Sequence, residues 1–236
     1  MHGSSATIAV LLEELLAVRV PQIDVVVFPP IAYLSWVVER LRGSEIAVGA
    51  QNVHPELAGA YTGEVAAEMI KDLGATHVLV GHSERRRLCD ESDELVARKF
   101  AATRRAGLAP ILCVGETLAE REAGRAEEVV AAQLSAIVSL VGIAAFECAM
   151  IAYEPVWAIG TGLSATPTDA QSMHHAIRAQ IRALDVSIAE DLRILYGGSI
   201  NGDNAASLFV GTDVDGGLVG GASLNARQFV EICRAA

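Results

Sequence analysis

The sequence predicts an α/β protein on a parallel sheet and favours closure of that sheet into a barrel. Three observations carry this. Short, nearly continuous apolar runs, several of them rich in β-branched residues, recur along the chain, as in strands buried on both faces. Amphipathic helical patterns separate them, so that β followed by α repeats seven times, the signature of parallel strands with crossover helices. Polar and glycine signals fall just after the strands: His82, Glu154, Gly197–Gly198–Ser199 and Gly220–Gly221. In a barrel those loops meet at one face. In a doubly wound sheet, which the alternation alone also allows, only those at a switch point meet.

The elements follow in order. The chain opens with a helix at 5–19, where Ile8, Leu11, Leu12, Leu15 and Val18 share one face. Strand-like runs lie at 23–28, 45–50, 76–81, 108–114, 148–153, 192–197 and 213–220. Helical patterns lie at 31–42, 65–73, 93–106, 125–141, 168–184, 202–209 and 225–235. Ser92 or Asp93, and Thr166 or Thr168, stand where helix N-caps belong. No linker rich in Pro, Gly or Ser divides the 236 residues, a length that suits one barrel domain.

Composition narrows the function. Apolar residues make up 52%, enough for a sizeable core. A net charge of −11 leaves no basic surplus for nucleic acid or an anionic membrane, although a small phosphorylated substrate needs only local donors. Cys89, Cys113, Cys148 and Cys233 form no C-x-x-C pair and read as free thiols of a reducing compartment. "IAVLLEELLAV" resembles a signal segment, but Glu13 and Glu14 interrupt it and no basic stretch precedes it.

In "AYEPVWAIGTG" (152–162), Glu154 sits at the tip of an apolar run. Alone, such a carboxylate reads as a helix-start or rim residue. Its neighbours shift the weight: Pro155 fixes a turn, an apolar stretch follows, and Gly160–Thr161–Gly162 supply freedom. That is the pattern of a lid that excludes water. A carboxylate beneath a closing lid loses solvation and gains basicity, which suits a general base. His82 follows a glycine at a strand tip in "VLVGHSERRR". A short helix starting there would aim free N–H groups at the ring and hold it neutral, although a lone histidine there is also an ordinary helix-end partner. Arg85 reads as a rim salt-bridge partner. "YGGS" and "LVGGAS" follow the last two strands, where barrels often bind phosphate through the backbone. The loop 50–64, with Val53, Leu57, Ala58, Ala60 and Tyr61, reads as a partner surface. Met69 reads as core filler, and Cys113 as a packed strand-end residue able to brace Glu154.

Together these residues resemble the triosephosphate isomerase family. "AQN", "GAYTGE", "GHSERR", "ESDE", "CVGE", "YEPVWAIGTG", "YGGS" and "DGGLVGGASL" occur in the family's order and spacing across essentially the whole chain. The resemblance implies a TIM (β/α)8 barrel, usually a homodimer, in the cytoplasm, serving glycolysis and gluconeogenesis. It implies interconversion of dihydroxyacetone phosphate and D-glyceraldehyde 3-phosphate through an enediolate, with no cofactor and no metal. Glu154 would be the base, His82 the electrophile, Glu84 a supporting carboxylate and Cys113 a structural neighbour of Glu154. Gly160, Ser199, Gly220 and Gly221 would bind the substrate phosphate. Thr62 would reach towards the site of a second subunit, through an interface built on residues 50–64.

Two departures set further expectations. Leu163–Ser164–Ala165 stand where the family usually has Lys-Thr-Ala, at the far hinge of the lid. The chain begins "MHGSS", with Met1 aligned to the methionine after the family's Asn-x-Lys motif, so the first strand and its Asn and Lys are not among these residues. The expectation is one N-terminally incomplete barrel of seven strands, with exposed edges at 23–28 and 213–218 and weak activity as it stands. Two other readings stay open: a truncated phosphate-binding relic without activity, and an isomerase of a four-carbon ketose phosphate.

Overall fold

The computed structural model of the protein describes residues 1–18, 23–158 and 165–236. Seven parallel strands form one sheet in sequential order. They are β1 (Val25–Val27), β2 (Ile46–Ala50), β3 (His77–Val80), β4 (Ala109–Val114), β5 (Met150–Tyr153), β6 (Arg193–Tyr196) and β7 (Gly216–Gly217). The helices that alternate with them are α1 (Ser5–Leu16), α2 (Leu34–Leu41), α3 (Ala67–Asp72), α4 (Ser83–Leu88), α5 (Asp93–Arg105) and α6 (Leu118–Glu122) in the first half. The second half adds α7 (Ala126–Val141), α8 (Pro167–Leu184), α9 (Val186–Asp191), α10 (Ala205–Phe209) and α11 (Ala226–Ala235).

The sheet curls because its two faces are packed differently. Alternate residues point to opposite faces of a strand. On the inner face, Leu79, Ile111, Cys113 and Ala152 form a small apolar cluster. Phe28, just after β1, and Leu218, just after β7, pack against that same cluster, so the two edge strands face one interior. Asp24, before β1, also pairs with Arg193 of β6 at 2.5 Å. The outer faces of the strands, with Val78, Val80, Leu112, Ile151, Tyr153 and Ile194, join the larger helix-facing core. Among the described residues no pairing joins β1 to β7. This is the (β/α) barrel the sequence predicts, with seven strands paired in line.

α1 begins with a reciprocal capping box between Ser4 and Thr7 and buries Ile8, Leu12 and Leu15. Leu15 packs with Ala226 and Val230 of α11, against Val27 and Ile46. Ser92 caps α5, and Thr166 caps α8 in a box with Asp169.

Boundaries differ from expectation where glycine or burial intervenes. The run 213–220 yields only Gly216–Gly217 as strand, because Val214 folds back to Gly211 and the carboxylates of Asp213 and Asp215 turn to Arg178 of α8. Met69 is 57% exposed and not core filler. α3 buries Ala67 and Ile70, which leaves Met69 on the opposite side. All four cysteines are free thiols, and no described helix is long and apolar enough to cross a membrane.

Candidate active site

The site is built at the carboxyl ends of the strands. Past the tip of β3, Gly81 turns the chain at φ +73°, and His82 becomes the N-cap of α4. Its Nδ1 accepts a hydrogen bond from the backbone N–H of Glu84 at 3.3 Å. Past the tip of β5, Glu154 is held by its own N–H, which donates to Val114 O at 2.8 Å.

Tertiary structure brings these two side chains together. Glu154 is 2% exposed. Its Oε1 lies 2.9 Å from His82 Nε2, and its Oε2 accepts the backbone N–H of Ser83 at 2.8 Å. A ring that accepts at Nδ1 and donates at Nε2 carries one proton, so this geometry accommodates the neutral tautomer. Burial lowers the pKa of His82, while the hydrogen bond and charge of Glu154, with the charge of Glu84, outweigh it and place the ring above its ordinary 6.5.

Backbone space around Glu154 is tight. A Cβ on Gly115 would stand 1.8 Å from Glu154 O, and one on Gly197 would stand 2.9 Å from Glu154 Cγ. Only glycine lets the chain just past β4 and β6 approach Glu154 so closely, its backbone on one side and its side chain on the other. Cys113 is fully buried on β4; burial first, then the nearby Glu154 charge, pushes its thiol well above the usual range. Such a buried, protonated thiol is a packing residue beside Glu154.

Glu116, at the tip of β4, was quoted in the "CVGE" motif but given no role by sequence reasoning. It is fully buried and accepts from Trp157 Nε1 at 2.8 Å, Tyr153 Oη at 3.1 Å and Arg121 Nη1 at 3.2 Å. The Arg121 guanidinium lies 4.6 Å from the centre of the Trp157 ring. The start of the apolar stretch after Glu154 is thus anchored to one buried carboxylate. The signal was a second glutamate just past a strand end, two residues after β4 where Glu154 is one residue after β5.

Ser199, Gly220 and Gly221 are exposed at the ends of β6 and β7. Ser199 Oγ donates to Ala158 O at 3.2 Å, which ties the β6 loop to the same apolar stretch. A Cβ on Gly220 or Gly221 would meet nothing within 4 Å, so the backbone there is open to a ligand. Glu84 is exposed beside His82 and acts on it through charge. Gly160, and Leu163 and Ser164 of the far hinge, lie within residues 159–164, outside the described residues. Thr62 sits in an exposed turn of the 50–64 loop and, among the described residues, joins no other site residue. Neither lysine reaches the site: Lys71 Nζ donates to Ala106 O at 2.6 Å, and Lys99 is held by Asn52 and Glu91. Among the described residues no cluster of His, Cys, Asp and Glu could hold a metal ion.

Comparison with known proteins covers the same span. The family model described as triosephosphate isomerase matches residues 1–236. The chain is 54% identical over 239 residues to the triosephosphate isomerase of Pseudomonas putida (strain W619), covering 100% of this chain and 95% of that one. It is 55% identical to that of Pseudomonas putida (strain GB-1), with the same coverage. It is 54% identical over 238 residues to that of Pseudomonas aeruginosa (strain LESB58), again covering 100% and 95%.

Proposed function

The chain belongs to the triosephosphate isomerase family, and we propose that Glu154 and His82 carry out its isomerisation of dihydroxyacetone phosphate and D-glyceraldehyde 3-phosphate. The observation that supports this is the buried Glu154 carboxylate, bonded on one oxygen to His82 Nε2 and on the other to the Ser83 amide. Glu154 takes a proton from the carbon next to the carbonyl. The electron pair left behind forms the carbon–carbon double bond of an enediolate, and the carbonyl π pair moves onto its oxygen. His82 gives its Nε2 proton to that oxygen and takes the proton of the neighbouring hydroxyl, so that when Glu154 returns its proton to the other carbon the second oxygen becomes the carbonyl. This family is itself the worked case for a carboxylate base paired with a neutral imidazole.

In the free site the two groups satisfy each other, so a substrate carbonyl must take the Nε2–H from Glu154. Ser199, Gly220 and Gly221 hold the phosphate in this proposal through backbone N–H groups, with Gly160 completing the cradle as the lid closes over the intermediate. Glu84 supports His82 by its charge. Neither four-carbon specificity nor an inactive relic has an observation in its favour. The net charge of −11 argues against nucleic acid, and the four free cysteines fit a reducing compartment such as the cytoplasm.

Glu154→Asp or Glu154→Gln is expected to lower kcat by about 10²–10⁴-fold with little change in KM. A coupled isomerase assay reads both constants, and parental kcat in either variant removes Glu154 from the mechanism.

A homodimer through residues 50–64 is part of the same proposal. Leu57 and Tyr61 are 58% and 46% exposed, Met69 adds to them, and Val53 by contrast is buried as the loop's anchor. The Tyr61 ring rests 4.2 Å from that of His54, and Thr62 follows it at the tip. Sedimentation equilibrium is expected to show a dimer in the parent and a shift towards monomer in Tyr61→Asp. A parent that is monomeric at micromolar concentration ends this part of the proposal.

A further inference from the structure

The β3–β4 ladder ends at the pair Val80↔Leu112. The next residue on each strand matters to the site. Gly81 immediately precedes His82, and Cys113 leads into Val114, whose carbonyl accepts the Glu154 N–H at 2.8 Å. Beyond the ladder both carbonyls turn to one side chain. Arg86 lies on α4, and its side chain folds back past the start of its own helix. Its Nε donates to Gly81 O at 2.8 Å, and its Nη2 donates to Cys113 O at 3.3 Å. Its remaining nitrogen, Nη1, pairs with Asp93 Oδ1 at 2.6 Å, at the first turn of α5. A planar guanidinium presents its donors in a fixed fork, so three acceptors bound at once fix the distances between their chain segments.

We propose that Arg86 is a positioning residue for the isomerisation: its guanidinium clamps the tips of β3 and β4 where their ladder stops and thereby sets the placement of His82 against Glu154. It touches neither reacting atoms nor substrate. The side chain is 17% exposed, so these bonds are only weakly screened by water. Lysine is no substitute, because an ammonium is a point donor without the fork. The inference rests on Glu154 and His82 being the reacting pair.

The Asp93 pair offers a competing and merely structural role, stabilising α4 against α5. Two variants separate the roles. Arg86→Lys keeps the charge and the reach to Asp93 and loses the fork. Its kcat is expected to fall about 10- to 100-fold with KM changed little, the scale of a misplacement near 1 Å. Asp93→Asn removes the ion pair and leaves both carbonyl bonds, so it should melt earlier with kcat close to parental. Arg86→Ala, confirmed folded by circular dichroism, should regain activity with added guanidinium ion. Parental kcat in Arg86→Lys, an equal loss in Asp93→Asn, or no recovery with guanidinium overturns the clamp. Nitrogen-15 spectra of His82 give a readout independent of activity: Arg86→Lys should shift both ring resonances, and unchanged resonances overturn the proposal. A parent without isomerase activity would sink the functional reading alone, and the His82 spectra would still decide the clamp.

Discussion

At the scale of single residues, the site depends on side chains that are absent as much as on those present. Gly115 is the sharpest case, since its missing Cβ leaves 1.8 Å to Glu154 O. The obstacle is backbone, which cannot swing aside as a flexible side chain does. Gly115→Ala is therefore expected to displace the end of β4 from that of β5 beside Glu154. The cost should be about 2–4 kcal/mol of stability, as for other overpacked or strained core positions, with kcat falling alongside. Denaturant melts and the isomerase assay check both; a variant within about 0.5 kcal/mol of the parent, the range of an ordinary surface change, would mean that the strands part freely. Glu154 and His82 were legible in the sequence because Gly, Pro and strand-tip position punctuate them. Arg86 was not, because its bonds run to two strand-tip carbonyls, one of them 27 residues away, and no local pattern records a distant carbonyl.

At the scale of elements, α8 shows how burial sets pH dependence. His174 is fully buried, with Nδ1 against Asp213 O at 3.1 Å and its ring edge-on to Tyr153 at 5.9 Å. Burial lowers its pKa to about 4, against the raising pull of Asp213. Above pH 6.5 the ring is neutral folded and unfolded and has no effect. Between 6.5 and about 4 the unfolded chain binds a proton that the folded chain refuses, so stability falls as pH falls, levelling below about 4. The full effect is about 3 kcal/mol. His174→Gln should lose that part of the slope, measured as the difference in unfolding free energy between pH 7 and about pH 4.5 for both proteins. Identical slopes would show that the ring is protonated in the fold. Sequence periodicity located α8 and its cap but not this burial, because a histidine on an amphipathic helix reads the same at the seam and at the core.

At the scale of the whole molecule, the seven strands pair in line and β1 and β7 pair with nothing across from them among the described residues. A strand bonded on one side opens more readily than one bonded on both. Amide hydrogen exchange is therefore expected to be faster in 25–27 and 216–217 than in β4 and β5, and equal protection would show that the edges are covered in solution. The sequence by itself determined the alternation of strands and helices, their sequential parallel order, the strand-tip positions of Glu154 and His82, and the family. Those features are written in local periodicity, in glycine and proline, and in motif spacing, which each short segment carries alone. Only the tertiary structure decided that Glu154 bonds His82 and Ser83, that Glu116 anchors Trp157, that Met69 faces out, and that one guanidinium joins two strand tips. Each of these is a contact between segments distant in sequence, and its geometry exists only once the sheet has curled and the helices have packed against it.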